Sequence, residues 1–230
     1  MRVIVIGMCA LFFVCMHANN DQAMSFGQAL FVGDRPKPLD VYMHIKSQVH
    51  AYNARPEADF FTISLAQNEP NIGEYTAVFI GGDVYFRCHK GSILSQVPAN
   101  GSKAAISTRL SLDAQKKLYF IAKFFGALRP VRDDALKKKI WDSLNIATRS
   151  AYVHLQDRHH TAIQSLNDIA SKKPIAPHQA LALPPDDFFV LRLDMDQAML
   201  YVYNSENYQN VVMEFTKESD DYWRRQLIQP

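Results

Sequence analysis

The chain has 230 residues, 48% of them hydrophobic and 21% charged, with a formal net charge of +2. That much apolar material builds one core, or a large one and a small one. The even charge balance excludes a polybasic nucleic-acid arm, and an aromatic content of 11% excludes a disordered chain. Of the 23 acidic residues six are glutamates: Glu57, Glu69, Glu74, Glu206, Glu214 and Glu218. The stretch 75–205 holds none, which excludes any mechanism that needs a mid-chain glutamate.

Arg2 precedes the apolar run 3–14, followed by Cys15-Met16-His17-Ala18 and the polar Asn19-Asn20-Asp21-Gln22. A basic start, a short apolar core and a small residue before a polar stretch read as a secretory signal peptide over 1–18, cut after Ala18. The run is short for a bilayer span, so no membrane span is expected once it is removed. No lipobox precedes Cys9 or Cys15. The expected location is secreted or periplasmic. Removal leaves 24 basic against 23 acidic residues, a charge of +1, with Cys88 as the remaining thiol. A single cysteine allows no internal disulfide, and its place in a β-like run reads as a small buried hydrophobe.

In chain order, Met24-Ser25-Phe26 reads as an edge strand. Residues 39–54 carry Val41, Tyr42, Ile45 and Val49 at helical spacing, with Asp40 as N-cap. Segments 60–65 and 75–80 read as strands, Gly81-Gly82-Asp83 as a hairpin turn, and 84–89 as the return strand. Asn100-Gly101-Ser102 marks an exposed loop, and in a eukaryotic source it would be a glycosylation acceptor. The stretch 112–169 shows helical periodicity. Leu118, Ile121, Phe125 and Leu128 form one stripe, which Pro130 ends. Asp133 and Asp134 open a second helix carrying Leu136, Ile140, Leu144, Thr148 and Tyr152, and 162–170 is a further amphipathic stretch. Pro174, Pro177, Pro184 and Pro185 punctuate a connector. Residues 188–193, 199–203 and 211–215 read as short strands or a helical turn. The order is β-rich, then helical, then mixed, an α+β class.

Taken together, Phe26, the helix with Tyr42 and Ile45, the strand 60–65 and the hairpin ending in Asp83-Val84-Tyr85-Phe86-Arg87-Cys88-His89-Lys90-Gly91 resemble the ribosome-inactivating proteins. These are the rRNA N-glycosylases of the ricin A and Shiga A chain group. Asn145-Ile146-Ala147-Thr148-Arg149 and the run 185–197 are similar to that family's later segments. The resemblance implies a single domain over 19–230, with a mixed N-terminal β-sheet part (24–110), a helical core (111–172) and a small mixed C-terminal part (173–230). It implies that Tyr85 stacks on the target adenine and that Arg149 holds or helps protonate the leaving base. The family's catalytic Glu falls at Ile146 and its active-site Trp at Met195, and no residue carries the second stacking Tyr.

Depurination passes through an oxocarbenium-like state and needs aromatic faces, a cation and a carboxylate. Loss of the acid–base group costs about 10²–10⁴ in rate. Asp142 is a candidate substitute, one turn before Ile146; Asp83 lies two residues from Tyr85 on the same strand face, and Asp194 flanks Met195. Their plainer reading is structural, with Asp83 in a turn and Asp142 paired with Lys138 or Lys139. The spacing of His154, His159 and His160 does not suit a zinc pair on one helix face, so no metal is expected. Cys88 and His89 are strand neighbours that face opposite ways. The expected function is a secreted toxin-like protein of the rRNA N-glycosylase fold, weakly active or inactive in adenine removal. Its expected partners are rRNA, the ribosome or an adenine-containing ligand, with no cofactor and no lectin chain in the sequence. The alternative is a secreted, non-enzymatic binding or immunity-type module of α+β layout.

Overall fold

The structure, a computed structural model, describes residues 37–52, 60–66, 71–113, 117–146, 148–149, 152, 182–204, 210–220 and 222–228. The signal peptide, the edge strand at residue 24, the histidines at 154, 159 and 160, the stretch 162–170 and the prolines at 174 and 177 lie outside them.

Helix α1, Pro38–Tyr52, opens the described chain. Proline suits its first position, where the missing N–H has no helical partner. The helix starts earlier than Asp40, which sits in the first turn instead of capping it. Its carboxylate accepts from the Lys37 N–H at 3.4 Å. Strands β1 (Phe60–Leu65), β2 (Asn71–Ile80) and β3 (Asp83–His89) follow. Gly81 and Gly82 join β2 to β3 with φ of 63° and 85°. Both values lie in the left-handed region that a two-residue hairpin turn requires. A 3₁₀ turn, Ile93–Gln96, capped by Ser92, leads to β4 (Ser102–Asp113), β5 (Leu118–Pro130) and helix α2 (Asp134–Ser143). Strands β6 (Phe188–Asn204), β7 (Asn210–Ser219) and β8 (Tyr222–Ile228) complete the described elements.

The strands pair in the order β3-β2-β1-β4-β5-β6-β7-β8, and β3 pairs again with β6. Six strands therefore close into an antiparallel barrel, with β7 and β8 added beyond β6. This overturns the α+β expectation of a mixed sheet followed by a helical core. Only two helices occur among the described elements. The stripe at 118, 121, 125 and 128, which fits a helix, belongs to β5. There Phe120, Ala122 and Phe124 alternate inward while Lys123 points out. Aromatic residues favour a strand, and the two-residue period wins. The segments at 188 and 199 are one 17-residue strand, and β4 and β8 had no counterpart in the sequence reading.

The chain divides into two compact units. One takes its described residues up to Glu74, Lys103–Ala127 and 194–228. Its core forms where Tyr42 of α1 meets Phe61 at 5.9 Å, Phe120 at 6.3 Å and Phe124 at 5.8 Å between ring centroids. All four rings are fully buried or nearly so. The other unit comprises Tyr75–Ser102 and Leu128–Leu193. Asp133 caps α2 by accepting from the N–H groups of Ala135 at 2.9 Å and Leu136 at 3.2 Å. Removing such a cap costs about 1 kcal/mol. Asp133→Ala is therefore expected to lower stability by about that amount in a urea titration. An unchanged midpoint would remove the cap from the account.

Candidate functional site

Strand β3 presents Tyr85, Arg87 and His89 on one face, and Val84, Phe86 and Cys88 on the other. Its register with β6 sets Tyr85 opposite Arg192, Arg87 opposite Val190 and His89 opposite Phe188. The two strands are clasped at one end, where the Lys90 N–H donates to the Asp187 carbonyl at 3.0 Å. Helix α2 lays Ile140 and Trp141, both fully buried, over this face. Together with Tyr85, Leu144, Tyr152, Phe188 and Val190 they form an apolar cluster.

Within the cluster sits a polar knot. The Tyr152 ring stacks on His89 with centroids 3.8 Å apart and 27° between planes. The Arg87 guanidinium lies 5.7 Å from the same ring, close enough for a cation–π attraction. His89 Nδ1 stands 3.6 Å from Asp187 Oδ2. Buried atoms with no hydrogen-bond partner among the described residues include Arg149 Nε, Tyr152 Oη and Asp187 Oδ1. Each such atom costs about 1–3 kcal/mol when nothing answers it, so several in one unit ask for an explanation.

Burial drives the Tyr152 phenol far above its ordinary range, so its hydroxyl keeps its proton and stays a donor. Burial also pulls the Arg87 guanidinium below its usual value, while Tyr152 pushes it back. A guanidinium remains charged through such a shift.

Cys88, on the opposite face, is buried, and its thiol is pushed up to about 11 by desolvation, against a lowering hydrogen bond with Ser92. The folded state then holds a proton that the unfolded chain gives up near pH 9.0. Stability is present below that pH and falls as pH rises toward about 11. Thiol-reactive dye is accordingly expected to label the native protein slowly at neutral pH and quickly once it is unfolded in urea. Equal rates in the two states would show the thiol to be exposed.

The residues expected from the sequence fall as follows. Tyr85 is 4% exposed, and its hydroxyl donates to Asp83 Oδ2 at 3.2 Å. It belongs to the apolar cluster instead of offering a free ring face. Burial, then Asp83, raises its phenol. Ile146 is 48% exposed. The Arg149 N–H donates to the Asn145 carbonyl at 3.0 Å, and its buried Nε is one of the unanswered atoms. Asp142 is exposed and pairs with Lys138 at 2.5 Å, the structural reading. Met195 is half-buried in the other unit, on β6. In the sequence Tyr152 stands as one step of a helical stripe, far from Arg87, His89 and Asp187. The spacing Tyr85-x-Arg87-x-His89 inside a strand was the available signal.

No protein-family model matches the chain. No curated protein matches it either. Among solved structures it is similar to a pyridoxamine 5'-phosphate oxidase-related, FMN-binding protein from Nostoc punctiforme. The identity is 16% and the TM-score 0.57, covering 80% of this chain and 94% of that one. It is also similar to PhzG from Burkholderia lata in complex with tetrahydrophenazine-1-carboxylic acid. Here the identity is 14% and the TM-score 0.58, covering 86% and 95%. The fold is their split barrel.

That likeness, with the closed six-strand ring, overturns the resemblance to ribosome-inactivating proteins. The toxin-like rRNA N-glycosylase function and the translation inhibition that it implied fall with it. The cause is physical. The β1-to-β3 hairpin pattern of short alternating strands is shared by many β-rich folds. The stripe 118–128, expected as the helix before the one that leads to Ile146, is the barrel strand β5.

Proposed function

We propose that the chain is a flavin mononucleotide-binding protein of the split-barrel fold, with Arg87, Lys90, Arg149 and Tyr152 toward the cofactor. The fold likeness motivates this reading, and the buried, unanswered Arg149 Nε and Tyr152 Oη carry it. A flavin mononucleotide offers a phosphate dianion and a planar ring with polar edges. The donor set fits the anionic part: two guanidiniums, the exposed Lys90 and a phenol that stays protonated. Charge-assisted bonds from guanidinium to phosphate are among the stronger kind. Arg87 and Lys90 would hold the phosphate, and the Tyr152 hydroxyl and Arg149 would bond the remaining polar atoms. His89 and Asp187 would position Tyr152 through the stacked imidazole. Bound flavin supplies hydride and electron transfer; the protein's part is to bind, orient and shield it from water. We also read residues 1–18 as an export signal, which places the mature chain in a secreted or periplasmic setting.

Titrating purified protein with flavin mononucleotide, followed by flavin fluorescence, tests the proposal. Saturable binding is expected, with Arg87→Ala and Arg149→Ala each weakening it by roughly 10–150-fold, the equivalent of one charged hydrogen bond. Circular dichroism should show both variants folded. Absence of binding by the unaltered chain, or undiminished binding by both folded variants, would overturn the assignment.

A further inference from the structure

The turn ahead of β4 carries a side chain that the fold does not use. The Gly101 N–H donates to the Pro98 carbonyl at 2.8 Å, closing a four-residue turn from Pro98 to Gly101. Pro98, Ala99 and Asn100 are exposed. Packing accounts for Gly101: its φ is +91°, and a Cβ there would come within 2.9 Å of the Leu128 carbonyl oxygen and of Arg129 Cγ. Ser102 opens β4. The Asn100 carboxamide, in contrast, makes no hydrogen bond among the described residues. Asn100-Gly101-Ser102 satisfies the acceptor pattern Asn-x-Ser, with x not proline. None of the chain's other asparagines has Ser or Thr two positions on.

We propose that Asn100 is an N-glycosylation site and that the mature protein is a secreted glycoprotein. The proposal rests on the export reading of residues 1–18. In the modification, Asn100 Nδ2 forms a bond to the anomeric carbon of an oligosaccharide carried on a lipid pyrophosphate. The carbon–oxygen bond to the pyrophosphate breaks, the lipid pyrophosphate leaves, and the amide proton passes to a base of the transferring enzyme. Attachment precedes folding, so the fold has to supply room. An exposed turn does so, because the sugar then projects into solvent and leaves the register of β4 untouched. The glycan adds a bulky, solubilising surface group without a cost in core packing.

The full chain, expressed in a secreting eukaryotic cell line, should appear in the medium with its first residue at Asn19. Its mass should drop on treatment with a peptide-N-glycosidase, with peptide mapping placing the sugar on Asn100. Asn100→Gln and Ser102→Ala should be secreted without the glycan, and Ser102→Thr should keep it. A second arm replaces residues 1–18 with a signal peptide known to work in that cell. Glycan in the second arm but not the first would uphold the acceptor site and defeat the export reading. Secreted protein with unmodified Asn100 in the second arm would overturn the proposal.

Discussion

Gly126→Ala is expected to be the most disruptive single-atom-group change in the described chain. Gly126 lies in β5, where a Cβ would stand 2.1 Å from the Asp194 carbonyl oxygen and 2.9 Å from both the Asp194 carbonyl carbon and Met195 Cα. All three are backbone atoms of β6, so no side chain can swing away to make room. Relief requires β5 and β6 to move apart, which strains the hydrogen bonds that hold the ring closed. Overpacking in cores usually costs 1–3 kcal/mol, and a clash confined to backbone belongs at or beyond the top of that range, about 3 kcal/mol or more. For a domain of this size that lowers Tm by roughly 6–12 °C. A thermal melt followed by far-ultraviolet circular dichroism reads it directly. A melting temperature equal to that of the unaltered chain would mean that the two strands do not approach as described.

Trp141→Ala is expected to cost about 3–5 kcal/mol, the range for removing a large aromatic from a packed core. Trp141 is fully buried, and its ring meets Phe188 at 5.0 Å and Tyr152 at 5.9 Å, both edge-on. Edge-to-face pairs of this kind add about 0.5–1.5 kcal/mol each to the area term. The loss has a second effect beyond stability. Trp141 backs the ring of Tyr152, which in turn stacks on His89, so its removal frees Tyr152 to turn. Flavin binding should therefore weaken in Trp141→Ala even at temperatures where the protein is folded, while Trp141→Phe should restore most of both properties. Denaturation in urea gives the stability change, and flavin fluorescence gives the affinity. Wild-type affinity in a folded Trp141→Ala variant would detach Tyr152 from the proposed site.

Local chemistry was legible in the sequence where one signal stood alone. The Gly-Gly hairpin, the strands of 60–65 and 84–89 and the Asp133 start of α2 all emerge from turn and capping residues. Legibility failed at 118–130, where two periods compete. Leu118, Ile121, Phe125 and Leu128 satisfy a helix, while Phe120, Ala122 and Phe124 satisfy a strand. Two features favoured the strand: the density of aromatics, and Gly126, since an isolated glycine inside an apolar run marks close backbone approach. Misreading that element removed a barrel strand and supplied a false helical core, which made the ribosome-inactivating pattern fit. The candidate site was hidden for a different reason. Arg87 and His89 on β3 meet Tyr152, which follows α2, and His89 meets Asp187, just ahead of β6; no spacing along the chain records contacts between segments so far apart.

The pairing of β3 with β6 governs how the protein is made. Tyr85 meets Arg192 across the seam, more than a hundred positions apart in the sequence. A nascent chain therefore carries β3 with its outer edge bare until β6 has been synthesised, and ring closure bears the entropy of a very long loop. Folding dominated by such distant contacts is slow, and an unpaired strand edge invites pairing with other chains in the meantime. Yield in any expression host should accordingly depend on what shields the β3 edge during that interval.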